Sequence, residues 1–186
     1  TDTNSQQKYN RLYTVDNINR IVEYYNNIIT KYIYINDDYN LAYVMEKSSP
    51  TLFRNKLKDG IHIVYPHIIL THNEQHFIRR KVLDIADEMF KGLQTSNSNE
   101  DIIDKAIIDI NSWQMYASRK PDCEAYIVTK IYKCGQMLKE ELSAKTNLDY
   151  ITLFSMRNNN LNEEICKIKE DAIKEIEEYT KHVLPA

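Results

Sequence analysis

Two stretches of this chain combine residue types that can do chemistry. The first is Lys58-Asp59-Gly60-Ile61-His62-Ile63-Val64-Tyr65-Pro66, where one of only three glycines precedes a histidine at the mouth of an alternating apolar run. Glycine permits a positive φ or a close backbone approach to a ligand, and the imidazole two residues later would be aimed by a strand instead of a mobile loop. That mounting suits a phosphate-facing or catalytic histidine; a lone histidine serves equally as a satisfied core or surface residue. The second stretch runs from Asp104 to Pro121 and brings together an acid, an amide at Asn111, a hydroxyl at Ser118 and the cations Arg119 and Lys120. Among Ile103, Ala106 and Ile107 a carboxylate is desolvated unless it binds a cation or accepts hydrogen bonds. Ser118, Arg119 and Lys120 offer donors suited to a triphosphate. Read alone, the same segment is equally a helix with a solvated acid and a basic turn.

The elements that must position these residues are read from periodicity. Val15, Ile18, Ile21, Val22, Tyr25, Ile28, Ile29 and Tyr32 recur at helical steps behind Thr14, a suitable N-cap, with Asp16 in the first turn where a carboxylate meets the positive end of the dipole. After a polar turn at Asn36-Asp37-Asp38, the run from Leu41 to Lys47 reads as a buried strand ended by Ser48-Ser49-Pro50. Ile61 to Tyr65 is a second strand closed by Pro66, with Ile68 to Leu70 as a further short strand. A helix follows, capped by Asn73, with Phe77, Ile78, Val82, Ile85, Ala86, Met89 and Phe90 on its apolar face and Gly92 as its stop. Ile102 to Ile108 fits helix or strand. Trp113 to Tyr116 and Ala125 to Tyr132 read as strands around a turn at Lys120-Pro121-Asp122. Arg79 and Arg80 are expected on a helix surface, and Trp113 in the core. Beyond Gly135, Ile165, Ile168, Ala172, Ile176, Tyr179 and Val183 form a stripe on a long charged helix, which either packs on a neighbour or connects to a further domain. The expected fold class is therefore α+β, a small mixed or antiparallel sheet with packed helices and a helical C-terminal extension.

At 186 residues the chain can bury one substantial core, and 42% hydrophobic with 27% charged residues fits a folded protein with no transmembrane run of roughly 20 apolar residues. Three widely spaced cysteines, Cys123, Cys134 and Cys166, form neither a disulfide framework nor a zinc motif, so a reducing, intracellular setting is the simpler expectation. The N-terminus has no secretory core and no initiator methionine, and is read as a cut within a longer polypeptide. A net charge of -3 gives no global pull toward nucleic acid, which leaves only a local basic groove for that purpose.

Taken together and in this order, the blocks resemble the archaeo-eukaryotic primase (AEP) superfamily, and within it the primase-helicases of large nucleocytoplasmic DNA viruses. Tyr43-Val44-Met45-Glu46-Lys47 followed by Lys58 to Pro66 is similar to the strand pair that carries the superfamily's histidine motif. Asp104 to Ile108 resembles its later metal-binding aspartate and the strand that follows. Asn111, Trp113, Met115-Tyr116, Ser118 and Lys120-Pro121 resemble the stretch lining its nucleotide site, and Phe154-Ser155-Met156-Arg157-Asn158 a segment beyond the core. The resemblance covers about Arg11 to Asn158.

The resemblance implies nucleotidyl transfer: a primer 3′ hydroxyl attacks a nucleoside triphosphate on a single-stranded DNA template, with Mg²⁺ or Mn²⁺ ions roughly 4 Å apart assisting. His62 and Asp104 would be the catalytic residues, Asp104 as metal ligand and His62 against the triphosphate. Lys58, Gly60, Asn111, Ser118 and Lys120 would complete the nucleotide and phosphate site. Residues 1–135 would be a partial catalytic core and 136–186 an extension or linker toward a C-terminal helicase domain of the same parent, acting in the host cytoplasm or a viral factory. The superfamily's first motif, Asp-x-Asp, has no counterpart between Thr1 and Tyr13, and Asp37-Asp38 is adjacent and in a turn. Those acids are expected upstream of Thr1, so this piece alone should hold metal poorly and catalyse little. The alternative is a noncatalytic nucleic-acid-binding or assembly module, with salt-sensitive single-strand binding that needs neither nucleotide nor metal.

Overall fold

The computed structural model describes residues 9–109, 115–120, 123–139, 145–155 and 164–183. Helix α1, Val15–Tyr32, begins where the stripe predicts, with a reciprocal capping box between Thr14 and Asn17 and Asp16 in the first turn. It ends because Ile33 turns extended and starts β1, Ile33–Ile35. Past the Asn36-Asp37-Asp38 turn comes β2, Leu41–Glu46. Two short strands that periodicity did not reveal follow, β3 Thr51–Phe53 and β4 Lys56–Lys58, and then β5, His62–Val64. The last strands are β6 Ile127–Lys133, β7 Gln136–Leu138 and β8 Cys166–Ile168.

Strands β5, β2, β6 and β7 form, in that order, an antiparallel four-stranded sheet. Central strand β2 is buried on both faces, which explains its unbroken apolar run. Its even residues Ala42 and Val44 pack with Ile18, Val22 and Tyr132 beneath α1, while Tyr43 and Met45 join Tyr116, Ile131 and Tyr150 on the opposite face. Val22 and Val44 have no exposed surface, and each such side chain contributes about 1.5–3 kcal/mol of burial.

The helical layer is a separate core. It comprises α2 His72–Leu83, α3 Ala86–Met89, α4 Asn99–Ile102 and α5 Ala106–Asp109, while α6 Asn147–Leu153 covers part of the sheet and α7 Glu170–Val183 closes the chain. Phe77, Val82 and Met89 pack there with Ile29, Tyr32 and Ile103, and with Ala172 and Ile176 of α7. The stretch beyond Gly135 thus packs onto the rest: β8 pairs antiparallel with β1, Ile33 opposite Ile168, and Tyr179 meets the Phe77 ring edge-on at 5.7 Å.

The α+β class with small antiparallel sheets, packed helices and a C-terminal helix is as expected. Several local readings change. Thr71, not Asn73, caps α2, because its hydroxyl forms a capping box with Glu74. Ile68 to Leu70 form no strand; the chain turns at Tyr65, whose carbonyl accepts from the Ile68 amide. Met115 and Tyr116 lie in a turn closed from Ser118 to Met115 instead of a strand. Ile165 and Ile168 precede α7 and belong to the β8 region, since the β1 edge gives that segment backbone partners. Arg79 is no free surface cation: its guanidinium donates to the Ile103 and Glu100 carbonyls, capping the end of α4, whereas Arg80 is exposed and pairs with Asp84. Trp113 lies outside the described residues. Among the described residues no helix is long and apolar enough to cross a membrane.

Candidate nucleotide site

The site is built on the edge of the four-stranded sheet. Antiparallel register sets His62 opposite Met45, and Met45 opposite Val128 on the next strand. Met45 packs on the face away from α1, with Val128 and Tyr126 beside it. Directly opposed residues share a face, so His62 is presented on that side as well. Its ring stacks on Tyr126 with centroids 3.9 Å apart and planes 15° from parallel. The Lys47 ammonium lies 5.1 Å from the centroid of the same Tyr126 ring. Burial lowers the affinity of His62 for a proton, and the positive charges of Lys47 and then Lys120 lower it further.

The chain around His62 is held by buried ion pairs. Asp59, whose side chain is almost wholly buried, accepts from the Arg11 guanidinium at 2.6 Å and from the Leu12 amide at 2.8 Å. Arg11 also donates to the Lys47 carbonyl. The N-terminal segment therefore clamps both the loop before β5 and the end of β2. At that end Glu46 is buried beneath Tyr13, Thr129 and Lys130, all three donating to its carboxylate. Burial by itself would raise the Glu46 pKa, yet the hydrogen bonds from Lys130, Thr129 and Tyr13 overcome it and hold the carboxyl below its ordinary range.

The residues expected at the site divide. Of these, Lys120 carries a positive charge that lowers the proton affinity of His62. Gly60 adjoins that histidine along the chain, but its backbone is not in the positive-φ region, which among the glycines is occupied by Gly92 and Gly135. A Cβ at Gly60 would stand 3.6 Å from the Tyr126 hydroxyl, an ordinary contact, so neither a left-handed turn nor a close approach requires the glycine. Lys58 is on β4, its ammonium 4.5 Å from the Phe53 ring. The Ser118 hydroxyl donates to the Met115 carbonyl at 2.6 Å within a turn where Ala117 has φ of 62°. Asp104 follows Ile103, a member of the helical core, and accepts from the Ala106 amide at 2.9 Å, which starts α5. The segment after it is helix α5 and not the strand that the resemblance implied, because the Asp104 carboxylate accepts from a first-turn amide. Asn111 and Pro121 lie outside the described residues, as do Met156, Arg157 and Asn158; Phe154 stacks on Tyr150.

Lys47 and Tyr126 were not singled out from sequence. Alternation along β2 could have aligned Lys47 with Met45, but only the register with β5 shows that His62 shares that face. The arrangement is a cation-flanked imidazole on an aromatic support, suited to a polyanion. Among the described residues no group of three or more His, Cys, Asp or Glu side chains could hold a metal ion, and the Asp104 carboxylate is exposed, open to a ligand from solvent.

Comparison with known proteins identifies the family of the chain. Residues 1–132 match the family described as "C962R protein N-terminal AEP domain", a span that runs from α1 into β6 and includes His62, Asp104, Lys120 and Tyr126. A protein of Acanthamoeba polyphaga mimivirus that carries the name helicase L207/L206 is 33% identical over 112 residues, which are 59% of this chain and 12% of that protein. The chain thus corresponds to a small part of that relative's length. No solved structure matches it. With the match spanning most of the chain, the protein belongs to the C962R-type N-terminal AEP domain family.

Proposed function

We propose that this chain is the nucleotide-handling part of a viral primase-helicase, in which His62, Lys47 and Lys120 receive the triphosphate of an incoming nucleotide during primer synthesis on single-stranded DNA. The observation that carries this reading is the His62 imidazole stacked on Tyr126, with the Lys47 ammonium 5.1 Å from the centroid of the same ring. A neutral imidazole among cations gains a proton and a charge-assisted hydrogen bond when a phosphate arrives. Ser118, in the turn before Lys120, and Lys58, on the strand that precedes His62 in the chain, are proposed as further phosphate contacts. Asp104 is proposed as the chain's own contribution to a Mg²⁺ or Mn²⁺ site, whose other ligands would come from outside the described residues. The metal would supply charge compensation on the leaving pyrophosphate. A helicase domain in the same parent, and action inside the infected cell, follow the name and source of the mimivirus relative.

The test is primer synthesis by a longer parent chain that includes this domain, on an unprimed single-stranded template with Mg²⁺ or Mn²⁺. Synthesis should be lost in His62→Ala and in Asp104→Asn. Full activity in both variants refutes the assignment. Metal-independent strand binding with no triphosphate binding would instead indicate a noncatalytic nucleic-acid module.

A further inference from the structure

We propose that the β3–β4 hairpin is a finger that binds single-stranded nucleic acid, with Phe53 as a base-stacking platform and Arg54, Lys56 and Lys58 contacting phosphates. The inference rests on the template-directed reading above for its partner, and of the residues named there it shares only Lys58. Leu52 and Phe53 are 50% and 49% exposed, and no hairpin residue belongs to any of the three hydrophobic clusters. The hairpin turns through Arg54 and Asn55 with φ of 48° and 60°, a two-residue connection with both central residues left-handed, whose twist matches that of its strands. Registers Thr51 to Lys58 and Phe53 to Lys56 place Phe53, Lys56 and Lys58 on one face, with Leu52 and Leu57 on the other.

The polar face has the composition that a single strand requires. The Lys58 ammonium lies over the Phe53 ring 4.5 Å from its centroid and the Arg54 guanidinium 5.1 Å, and a base that stacks on the half-exposed ring displaces one of these cations toward its own phosphate. Between Thr51 and Lys58 there are cations at 54, 56 and 58 and no acid, in a chain whose net charge is -3. This local reversal of sign is the complement of a phosphate backbone, and an aromatic set among cations gives unpaired bases a surface on which to stack. Lys58 is the last residue of β4, four positions before His62, so a strand laid on the hairpin is led toward the nucleotide site.

Fluorescence anisotropy with a labelled oligothymidylate and the whole chain tests this. Phe53→Ala should weaken binding by about tenfold, the loss of one stacked base, while Phe53→Tyr should bind like the parent. Lys56→Ala should reduce the slope of log affinity against log salt by about 0.7, one single-strand phosphate contact. Affinity for a duplex should be indifferent to Phe53→Ala, since its bases are already stacked. Nucleotide titration separates this from the triphosphate reading: Phe53→Ala should bind triphosphate normally, and His62→Ala should lose triphosphate while keeping the oligonucleotide. Unchanged oligonucleotide affinity in Phe53→Ala, an unchanged salt slope in Lys56→Ala, or equal losses in Phe53→Tyr and Phe53→Ala would overturn the proposal.

Discussion

The sharpest consequence of the His62 environment is that triphosphate binding should take up a proton. In the ligand-free protein burial, and behind it the charges of Lys47 and Lys120, depress the imidazole pKa below its ordinary value of 6.5, so the ring is neutral at pH 7. The distances of 3.9 and 5.1 Å to the shared Tyr126 ring put the Lys47 ammonium within about 9 Å of the His62 ring centre. At that distance, an effective dielectric between 20 and 80 gives a repulsion of about 0.5–2 kcal/mol between the ammonium and an imidazolium. A bound triphosphate reverses the local potential, and the imidazolium then donates a charge-assisted hydrogen bond worth about 1.5–3 kcal/mol. His62→Ala should therefore weaken triphosphate binding about ten- to a hundredfold at slightly acidic pH. In the parent, affinity should fall by up to about tenfold per unit as pH rises between the free and bound imidazole pKa values, and this dependence should flatten in His62→Ala. Calorimetry in two buffers of different ionisation enthalpy reads the proton uptake directly, and the variant subtracts titration of the nucleotide's own phosphate and of His67. Equal proton uptake in parent and His62→Ala, or an affinity that rises with pH, would refute the reasoning. Lys47→Ala should shift the His62 titration upward in an NMR pH series.

Glu46 and the glycines carry the stability predictions. Glu46→Ala leaves Lys130 charged beside an emptied buried site and should cost about 3–5 kcal/mol in urea denaturation. Because its folded pKa lies below 4.5, the Glu46 carboxylate contributes stability in full above that pH and loses it as pH falls through the folded value, so the parent should lose more stability than Glu46→Gln on acidification. Gly60→Ala should be tolerated within about 1 kcal/mol, whereas Gly135→Ala should cost about 1–3 kcal/mol, since Gly135 has φ of 78° and a Cβ there would meet the Asn26 side chain at 3.2 Å. Thermal melts of the two variants compare them, and equal midpoints would contradict the backbone argument.

What sequence alone determined is whatever depends on neighbours three or four positions away. Thr14 and the stripe behind it fix α1, and the apolar run from Leu41 to Glu46 fixes a strand covered on both faces, because capping and burial periodicity are local properties. His62 was legible as a residue mounted on a strand. The hairpin was not, because Arg54-Asn55 is not a common turn pair and three-residue strands are too short to establish a period. Strand β8 was hidden because its partner is β1, at the other end of the chain, and a helical stripe through Ile165 and Ile168 reads just as well without that partner. Tertiary structure alone decided what surrounds the imidazole. Lys47, just past β2, and Tyr126, just before β6, are brought to the side of His62 by the pairing of β2 with β5 and β6, and one residue of slip would turn His62 to the opposite face. Register is set by the whole buried surface, and no short stretch of residues encodes it.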